Sequence, residues 1–376
     1  MPIKFGRTEI SDIKFGNNQI SKVYHGNNLV WQLPAPQMEW TYQPGLASAW
    51  GSTETIYDCV WGGDKWCAIG NKGLCVTSSD GVNWTKQEDL RFKISSNGGS
   101  YFSMQSISWQ EKMPGGPCFC VVGDESILTS PDGITWTYYY RPTGMPNILW
   151  KNVIWYGSDG PTETWYEFWV TGNESQFIVG NPQGGTPWLQ QSSDLPGVIG
   201  STYLESAAYS YDPNTRSQKF LVLGRDNKCA TSTNLNTWTS QPGLSNVMGA
   251  DAQKQVIWTG NQFVTVGTNN KCATSPDGAT WTRRSNLDTV IQDEFNLRGI
   301  FYDVTWNGSE LIAVGSRGIC ATSPDGIEWQ AQPGLKEVID AALNPGSFWE
   351  INSVAWNGSQ YLAVGSKGAV LTSPGI

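Results

Sequence analysis

Apolar and polar positions alternate along most of the chain in short runs separated by turn residues. The run INSVAWNGSQYLAVGSKGAVLTSP at 351–374 shows the pattern most fully. It predicts a strand ending at Trp356, an Asn-Gly-Ser turn, a strand over 361–365, a Ser-Lys-Gly turn and a strand over 369–372. Such runs are typical of β-strands, and no stretch of ten or more residues shows convincing helical periodicity. We therefore expect an all-β protein.

This strand pattern recurs through residues 37–376, where a Ser-Pro-Asp-Gly turn and a Trp-Thr strand complete each unit. The clearest copies of that ending are TSSDGVNWT at 77–85, TSPDGITWT at 129–137, TSPDGATWT at 274–282 and TSPDGIEW at 322–329. Aromatic residues mark seven first strands: Trp61, Trp109, Trp155, Tyr209, Trp258, Trp306 and Trp356. Tryptophans mark seven fourth strands: Trp84, Trp136, Trp188, Trp238, Trp281, Trp329 and Trp40. Four-stranded copies of about 50 residues predict a seven-bladed β-propeller.

The last copy of the repeat is interrupted at Thr372-Ser373-Pro374-Gly375-Ile376, where no Trp follows. The matching half lies near the other end of the sequence, at 38–46, and resembles the segments 238–244 and 329–335. We expect the seventh blade to take its fourth strand from residues 38–42. This split blade would close the ring and remove the sheet edges that an open array exposes.

Residues 1–33 form a separate and smaller repeat with copies IKFGRTEISD, IKFGNNQISK and VYHGNNLVWQ. Each copy has a β-favouring run, a Gly-containing turn and a second apolar run, which predicts a hairpin. Such units bury too little to stand alone, so we expect them to anchor or oligomerise the protein through Phe15, Ile20, Tyr24 and Trp31. Residues 34–36, Pro-Ala-Pro, predict a short stiff linker before the propeller at 37–376.

Charge and cysteine content narrow the function classes. The net charge is −9 with a pI near 4.7, which argues against nucleic-acid binding. The sequence has no apolar run long enough to predict membrane insertion, and no leader peptide is apparent. Of the eight cysteines, Cys75, Cys229, Cys272 and Cys320 share a repeat position with Ile127 and Val370, which predicts buried thiols. With His25 the only histidine, we expect no zinc site and no cofactor.

The aspartates of the repeated turn, Asp80, Asp132, Asp277 and Asp325, are the first candidates for chemistry. We interpret them as turn residues whose carboxylates accept hydrogen bonds from their own turn, while the following Gly supplies a positive φ. A catalytic or calcium-binding role is the alternative. A residue present in most blades serves the blade, so we predict no catalytic residue among them.

Recognition is expected in the connections between one blade's fourth strand and the next blade's first strand. These connections are long and dissimilar, and strand direction puts them on the same face as the turns between second and third strands. Variable loops on a rigid scaffold are common binding sites. The candidate ligand-binding residues are Trp50, Tyr138, Tyr140, Arg141, Trp150, Arg298 and Trp349. The alternative is that these side chains only pack the loops onto the ring.

Two family resemblances follow from these motifs. Residues 13–31, with IKFGNNQI and KVYHGNNLVW, resemble the leading segment of bacteriophage tail and baseplate-associated proteins. The Ser-Pro-Asp-Gly-x-x-Trp repeats resemble the Asp-box repeats of sialidase-like propellers, a group that includes photosystem-assembly-factor-like propellers, although they are one residue shorter between Asp and Gly. Together the resemblances imply a structural virion protein of the tail tip, fibre or baseplate.

What the resemblance implies for partners is also specific. Residues 1–33 would bind other tail or baseplate proteins, and the propeller would bind a host-surface glycan or dock a neighbouring tail protein. A homo-oligomer, with a trimer as the guess, would assemble in the host cytoplasm. The alternatives are a sialidase-like glycoside hydrolase, for which the nine arginines show no family motif in the first blade, and a cytosolic lectin or assembly scaffold.

Overall fold

The protein was analysed as a computed structural model. The structure describes residues 4–5, 8–9, 14–15, 18–19, 22–25, 28–32, 37–50, 54–96, 103–124, 126–139, 149–159, 164–181, 186–190, 193–343 and 349–375. The chain divides into two compact units, Met1–Met38 and Glu39–Gly375. Each unit is described by itself.

The second unit is a seven-bladed β-propeller, as the repeat predicts, and every blade is a four-stranded antiparallel sheet. Blade 1 contains Ile56–Trp61, Trp66–Gly70, Cys75–Ser78 and Thr85–Lys86, and blade 2 contains Met104–Gln110, Cys118–Gly123, Ser126–Ser130 and Thr137–Tyr139. Blade 3 contains Trp150–Asp159, Thr164–Gly172, Phe177–Asn181 and Thr186–Gln190, and blade 4 contains Leu204–Asp212, Ser217–Gly224, Cys229–Ser232 and Thr239–Ser240. Blade 5 contains Gln253–Trp258, Phe263–Gly267, Cys272–Ser275 and Thr282–Arg284, and blade 6 contains Phe301–Trp306, Leu311–Gly315, Cys320–Ser323 and Gln330–Ala331.

Blade 7 is split between distant parts of the chain, and this confirms the predicted closure. Its strands are Ile351–Trp356, Tyr361–Gly365, Val370–Ser373 and Thr41–Tyr42, with Thr372 opposite Thr41. The Gln43 peptide N–H donates to the Val370 carbonyl at 2.8 Å, and Gln43 Nε2 donates to Thr372 Oγ1 at 2.8 Å. Blades 1, 4 and 6 have the same glutamine-to-threonine hydrogen bond: Gln87 to Thr77, Gln241 to Thr231 and Gln332 to Thr322. The closing strand is therefore held by the same bonds as a continuous blade.

The hydrophobic core lies between adjacent blades and not within one sheet. One cluster joins Ile56, Trp66 and Val76 of blade 1 to Leu362 and Val364 of blade 7. The second and third strands of each blade are almost wholly buried, because a neighbouring blade covers each face of the sheet. First strands contact one another around the full ring, including the pair formed by blades 7 and 1. The closing seam is packed in the same way as the other inter-blade layers.

Short helices in the blade connections are the main departure from the sequence prediction. Six occur in the described residues: α1 (Gly45–Trp50), α2 (Asp89–Ser96), α3 (Leu195–Ile199), α4 (Gly243–Met248), α5 (Asn286–Phe295) and α6 (Gly334–Leu343). Each starts at or next to a leucine with no exposed surface: Leu46, Leu90, Leu195, Leu244, Leu287 or Leu335. The expectation of no ten-residue helix was wrong for α5 and α6, whose single buried stripe of i and i+4 residues is too narrow to show clear periodicity. None of the described helices has the length and apolar character needed to span a bilayer.

The first unit consists, in its described part, of three two-stranded hairpins. Lys4–Phe5 pairs with Thr8–Glu9, and Lys14–Phe15 pairs with Asn18–Gln19. The third hairpin pairs Lys22–His25 with Asn28–Gln32 and is the longest. Each predicted copy thus forms its own sheet, and the strands that contain Phe15, Tyr24 and Trp31 belong to these hairpins. Ile20 lies outside the described residues.

All eight cysteines lie in the described part of the ring, and each is a free, buried thiol. Cys67 Sγ and Cys75 Sγ are 3.9 Å apart across neighbouring strands, well beyond a disulfide bond length. Burial raises the pKa of the Cys229 and Cys272 thiols to about 12. These two thiols therefore remain protonated at neutral pH and act as small apolar side chains.

Removal of the closing strand tests the split blade. A variant lacking residues 1–36 should unfold at nearly the temperature of the full chain, whereas one lacking residues 1–42 should unfold at a clearly lower temperature. The second deletion removes Trp40, whose side chain is buried, at a cost of about 3–5 kcal/mol, and it leaves Val370–Ser373 as an open sheet edge. Differential scanning calorimetry measures both. Equal melting temperatures for the two deletions would refute the closure.

Candidate functional site

The carboxylates of the repeated turns are occupied by the turns themselves. Asp80 Oδ1 accepts hydrogen bonds from the Val82 and Asn83 peptide N–H groups, both at 2.8 Å, and Gly81 has φ +75°. The hydrogen bond from the Asn83 peptide N–H is the main reason that the pKa of Asp80 is held below its usual range. Asp132, Asp277 and Asp325 accept the same pair of backbone bonds. The side-chain oxygens of these aspartates therefore stabilise the turns in which they lie.

The same turns also tie neighbouring blades together through the carbonyl oxygen of the aspartate. A side chain just before or early in the second strand of the preceding blade donates to that carbonyl in four places: Lys65 to Asp132, Lys219 to Asp277, Gln262 to Asp325 and Gln360 to Asp80. The last bond, at 3.0 Å, crosses from blade 7 to blade 1. Turn and inter-blade roles together account for the repetition of these residues.

A belt of polar side chains lines the inner edge of the ring and was missed by the sequence analysis. One residue per blade contributes, each next to the register shift in its first strand: Asp58, Ser106, Asn152, Ser206, Gln255, Asp303 and Ser353. Most bond to the peptide N–H or side chain of a neighbouring blade. The available signal was a polar residue at one repeat position, but the bulge that turns it inward is not visible in the sequence.

Two carboxyls of this belt flank the closing blade. Asp58 Oδ2 accepts from the Ile107 N–H of blade 2 at 2.8 Å, and its Oδ1 accepts from Ser353 Oγ of blade 7 at 2.7 Å. Asp303 Oδ2 accepts from the Val354 N–H of blade 7 at 2.9 Å. Both residues are half-buried. Desolvation, and secondarily the Asp303 charge, raises the pKa of Asp58 to about 7. With their oxygens engaged, these groups hold blades together.

The predicted ligand-binding residues do not form one surface in the described part of the chain. Trp150 is 0% exposed and Trp349 is 3% exposed, so both have the packing role that the sequence left open as the alternative. Trp150 belongs to the cluster between blades 2 and 3, and the Trp349 ring lies 4.3 Å below Lys367 Nζ. Tyr138 is half-buried against the hydrophobic cluster between blades 1 and 2, and Arg298 is exposed.

The other three candidates are Trp50, Tyr140 and Arg141. Trp50 is the last residue of α1. Tyr140 and Arg141 lie outside the described residues. The predicted arrangement of this face is nevertheless found, since turns between second and third strands contact the connecting helices: Lys271 Nζ, for example, lies 3.1 Å from Asp288 Oδ2 of α5.

The opposite face has a cleft of about 610 Å³ between blades 4 and 5. Its lining is Ser210, Tyr211, Asp212, Pro213, Asn214, Ser217, Gln218, Lys219, Thr233, Trp258, Gly260 and Asn261. The first two strands of blade 4 have 9 and 8 residues, against 6 and 5 in blade 5. Blade 4 therefore extends past the short turn of blade 5 and forms a wall beside Trp258.

The cleft combines aromatic surface with fixed polar groups. Trp258 is partly buried, and its ring centroid lies 4.7 Å from that of Phe263. Asp212 accepts from the Asn214 N–H at 2.9 Å, which holds the wall turn. Gln218 Nε2 donates to the Thr233 carbonyl at 3.0 Å, and Lys219 Nζ is bonded to the Asp277 carbonyl. The polar groups thus have defined positions before any ligand arrives.

Sequence reasoning missed this cleft because it set Trp258 aside as a repeat residue. The distinguishing signal is the length of the segment around Tyr211-Asp212-Pro213-Asn214, which extends one hairpin of blade 4. No group of three or more metal-ligating side chains occurs within the described ranges.

Comparison with known proteins supports the fold and no narrower assignment. No family model and no curated protein matches the chain. A structure of YCF48 bound to D1 peptide aligns with a TM-score of 0.63 at 16% identity, covering 91% of this chain and 96% of that one. YCF48 from Cyanidioschyzon merolae aligns with a TM-score of 0.59 at 14% identity, over 89% and 98% of the two chains.

A third similar structure is a catalytically inactive virginiamycin B lyase from Staphylococcus aureus with quinupristin. It aligns with a TM-score of 0.63 at 11% identity, over 90% of this chain and all of that one. At these identities the likeness shows the propeller fold alone. Nothing in the comparisons indicates a bacteriophage protein or a sialidase.

Asp58 should make the stability of the ring depend on pH. Its pKa is raised on folding, so its contribution is complete below the unfolded value of 3.8 and is lost as the pH rises through about 7. Between pH 3.8 and about pH 7, the titration of Asp58 should lower the free energy of unfolding by at most about 1.4 kcal/mol for each unit by which the pH rises. In the Asp58→Asn variant, stability should therefore differ less between about pH 5 and about pH 7.5 than in the natural chain. Thermal unfolding at the two pH values measures this difference.

The exposed Asp226 provides the control for this measurement. Asp226→Asn should leave the difference between the two pH values unchanged. An Asp58→Asn variant with the same pH dependence as the natural chain would contradict the assignment.

Proposed function

We propose that this chain is a non-catalytic structural component of a bacteriophage tail, with residues 1–33 as the attachment module and the ring as the recognition head. The sequence resemblance of residues 13–31 to tail and baseplate-associated proteins supports the location. The ring would bind a glycan on the host surface. Assembly in the host cytoplasm and a homo-oligomer, with a trimer as the guess, belong to the same proposal.

The observation that carries the attachment role is the set of three separate hairpins in the first unit. Two of them have strands of two residues, and none is hydrogen-bonded to another in the described residues. Two-stranded hairpins of this size bury too little apolar surface to be stable alone in water. Apolar and aromatic residues on such strands favour a partner that completes the sheet, either a neighbouring tail protein or other copies of this chain.

The binding role of the ring rests on its scaffold and its cleft. Most repeated side chains are engaged in turns and between blades, so specificity falls to features that differ between blades. Among proteins of the same fold, one structure of YCF48 contains a bound D1 peptide and the lyase structure contains quinupristin. A bound ligand is thus compatible with this architecture. For this chain, docking of a neighbouring tail protein is the alternative to a glycan.

A glycoside hydrolase of sialidase type is the remaining alternative. Such an enzyme needs arginines that converge on a carboxylate, together with a nucleophile and an acid. Arg225 instead stacks on Tyr203, 3.9 Å from the ring centre, and lies 3.3 Å from a Glu205 carboxylate oxygen. Incubation of the purified chain with sialylated and neutral oligosaccharides, followed by mass spectrometry of the products, separates binding from hydrolysis. Release of free sugar would overturn the non-catalytic assignment.

Deletion of residues 1–33 tests the attachment module. Phage particles whose own copy is replaced by residues 34–376 should lack the protein, because the hairpins that join it to the tail are gone. Immunoblotting of purified particles measures the incorporated chain. Full-length Tyr211→Ala, altered only in the cleft, should be incorporated at the natural level. Incorporation of the truncated chain at that level would reject the module's role.

A further inference from the structure

We infer that the cleft between blades 4 and 5 binds a neutral saccharide, an inference that rests on the proposed recognition role of the ring. It moves the binding site to the face opposite the one expected from the variable loops. Three features of the cleft carry the inference: a wall formed by the long first hairpin of blade 4 beside the short turn of blade 5, aromatic side chains beside amide groups, and balanced charge.

The wall makes this site different from the equivalent position in a blade with a short turn. Trp258 and Trp306 both end the first strand of their blades, and both are partly buried. Beside Trp258, the long hairpin of blade 4 closes one side and creates the 610 Å³ volume. Blade 5, which precedes Trp306, has only a short turn between Trp258 and Phe263. Trp258 occupies a repeated position, and it lines a cleft because the first hairpin of the neighbouring blade 4 is longer than that of blade 5. The volume falls within the usual range for small-molecule sites.

The side chains in the cleft suit the two kinds of surface on a sugar ring. Tyr211 and Trp258 provide aromatic rings, whose negative faces attract the C–H groups on the apolar side of a hexose. Gln218, Asn214 and Asn261 provide amide groups, which can both donate to and accept from hydroxyls. Polar groups held by their own hydrogen bonds lose little freedom on binding, which favours recognition of a rigid polar ligand.

The charge of the lining selects a neutral ligand over an acidic one. Asp212 and Lys219 are the two charged residues that line the cleft, so their charges cancel. The Lys219 ammonium already donates to the Asp277 carbonyl at 2.6 Å. Hydrogen bonds from Thr215 and Asn214 lower the pKa of Asp212, so it is a carboxylate at neutral pH and repels an acidic sugar. Sialic acid and other anionic saccharides would find no net positive charge here.

Binding to an immobilised panel of neutral and sialylated oligosaccharides tests the inference with the full-length chain. The natural protein should retain one or more neutral oligosaccharides. Tyr211→Ala should weaken the apparent Kd about tenfold or more by removing one stacking surface. Trp258→Phe should also weaken binding while keeping an aromatic ring against Phe263. Trp306→Phe is the matched control, because it makes the same change at the same repeat position beside a short turn, and it should bind like the natural chain.

Each contrary result has a distinct meaning. Selective retention of sialylated oligosaccharides, retention of none, retention of a peptide library instead, or equal losses in Trp258→Phe and Trp306→Phe would each overturn the cleft assignment. Thermal unfolding of every variant identifies a loss that is due only to misfolding, and the Tyr211→Ala result then decides. Failure of the anchoring proposal is read separately, from incorporation of residues 34–376 into particles, and it leaves the binding result intact.

Discussion

The ring depends on one antiparallel pairing between distant parts of the chain, Thr41–Tyr42 beside Val370–Ser373. Each blade covers the face of the next, so a missing outer strand in blade 7 would expose a sheet edge and weaken the seam with blade 1. The chain meets this constraint with bonds found in uninterrupted blades, including the Gln43 to Thr372 hydrogen bond and the Gln360 bond to the Asp80 carbonyl. The belt at the axis adds Asp58 and Asp303 on either side of the closing blade.

Repetition and function are separated in this protein by a simple physical rule. A residue that recurs in most blades is used where blades meet or where strands turn, as for Asp80 in its turn or the buried Leu335 at the start of α6. Binding then requires a local exception to the repeat. The hairpin of blade 4 is such an exception, and it changes the surroundings of Trp258 without changing that residue's own place in the repeat.

The proposed division of labour follows from stability. Three small hairpins are stabilised by a partner that covers their apolar residues, whereas a closed ring with inter-blade cores is stable without one. A rigid ring can therefore present a preformed cleft while the hairpins attach it to a larger assembly. Preorganised polar groups reduce the entropy lost on binding, which suits a polar ligand such as a sugar.

The strands, the seven blades, the split closure and the turn role of the aspartates could all be predicted from the sequence, because these depend on local periodicity and on motifs repeated at fixed spacing. The sequence also indicated buried cysteines, from their exchange with Ile127 and Val370 at one position. Which side chains are accessible became visible only in the folded ring. Trp150 lies outside the repeated tryptophan positions yet is fully buried, and Trp258 occupies one of them yet lines a cleft. Exposure depends on how far the neighbouring blade extends, and that is a property of the assembled ring.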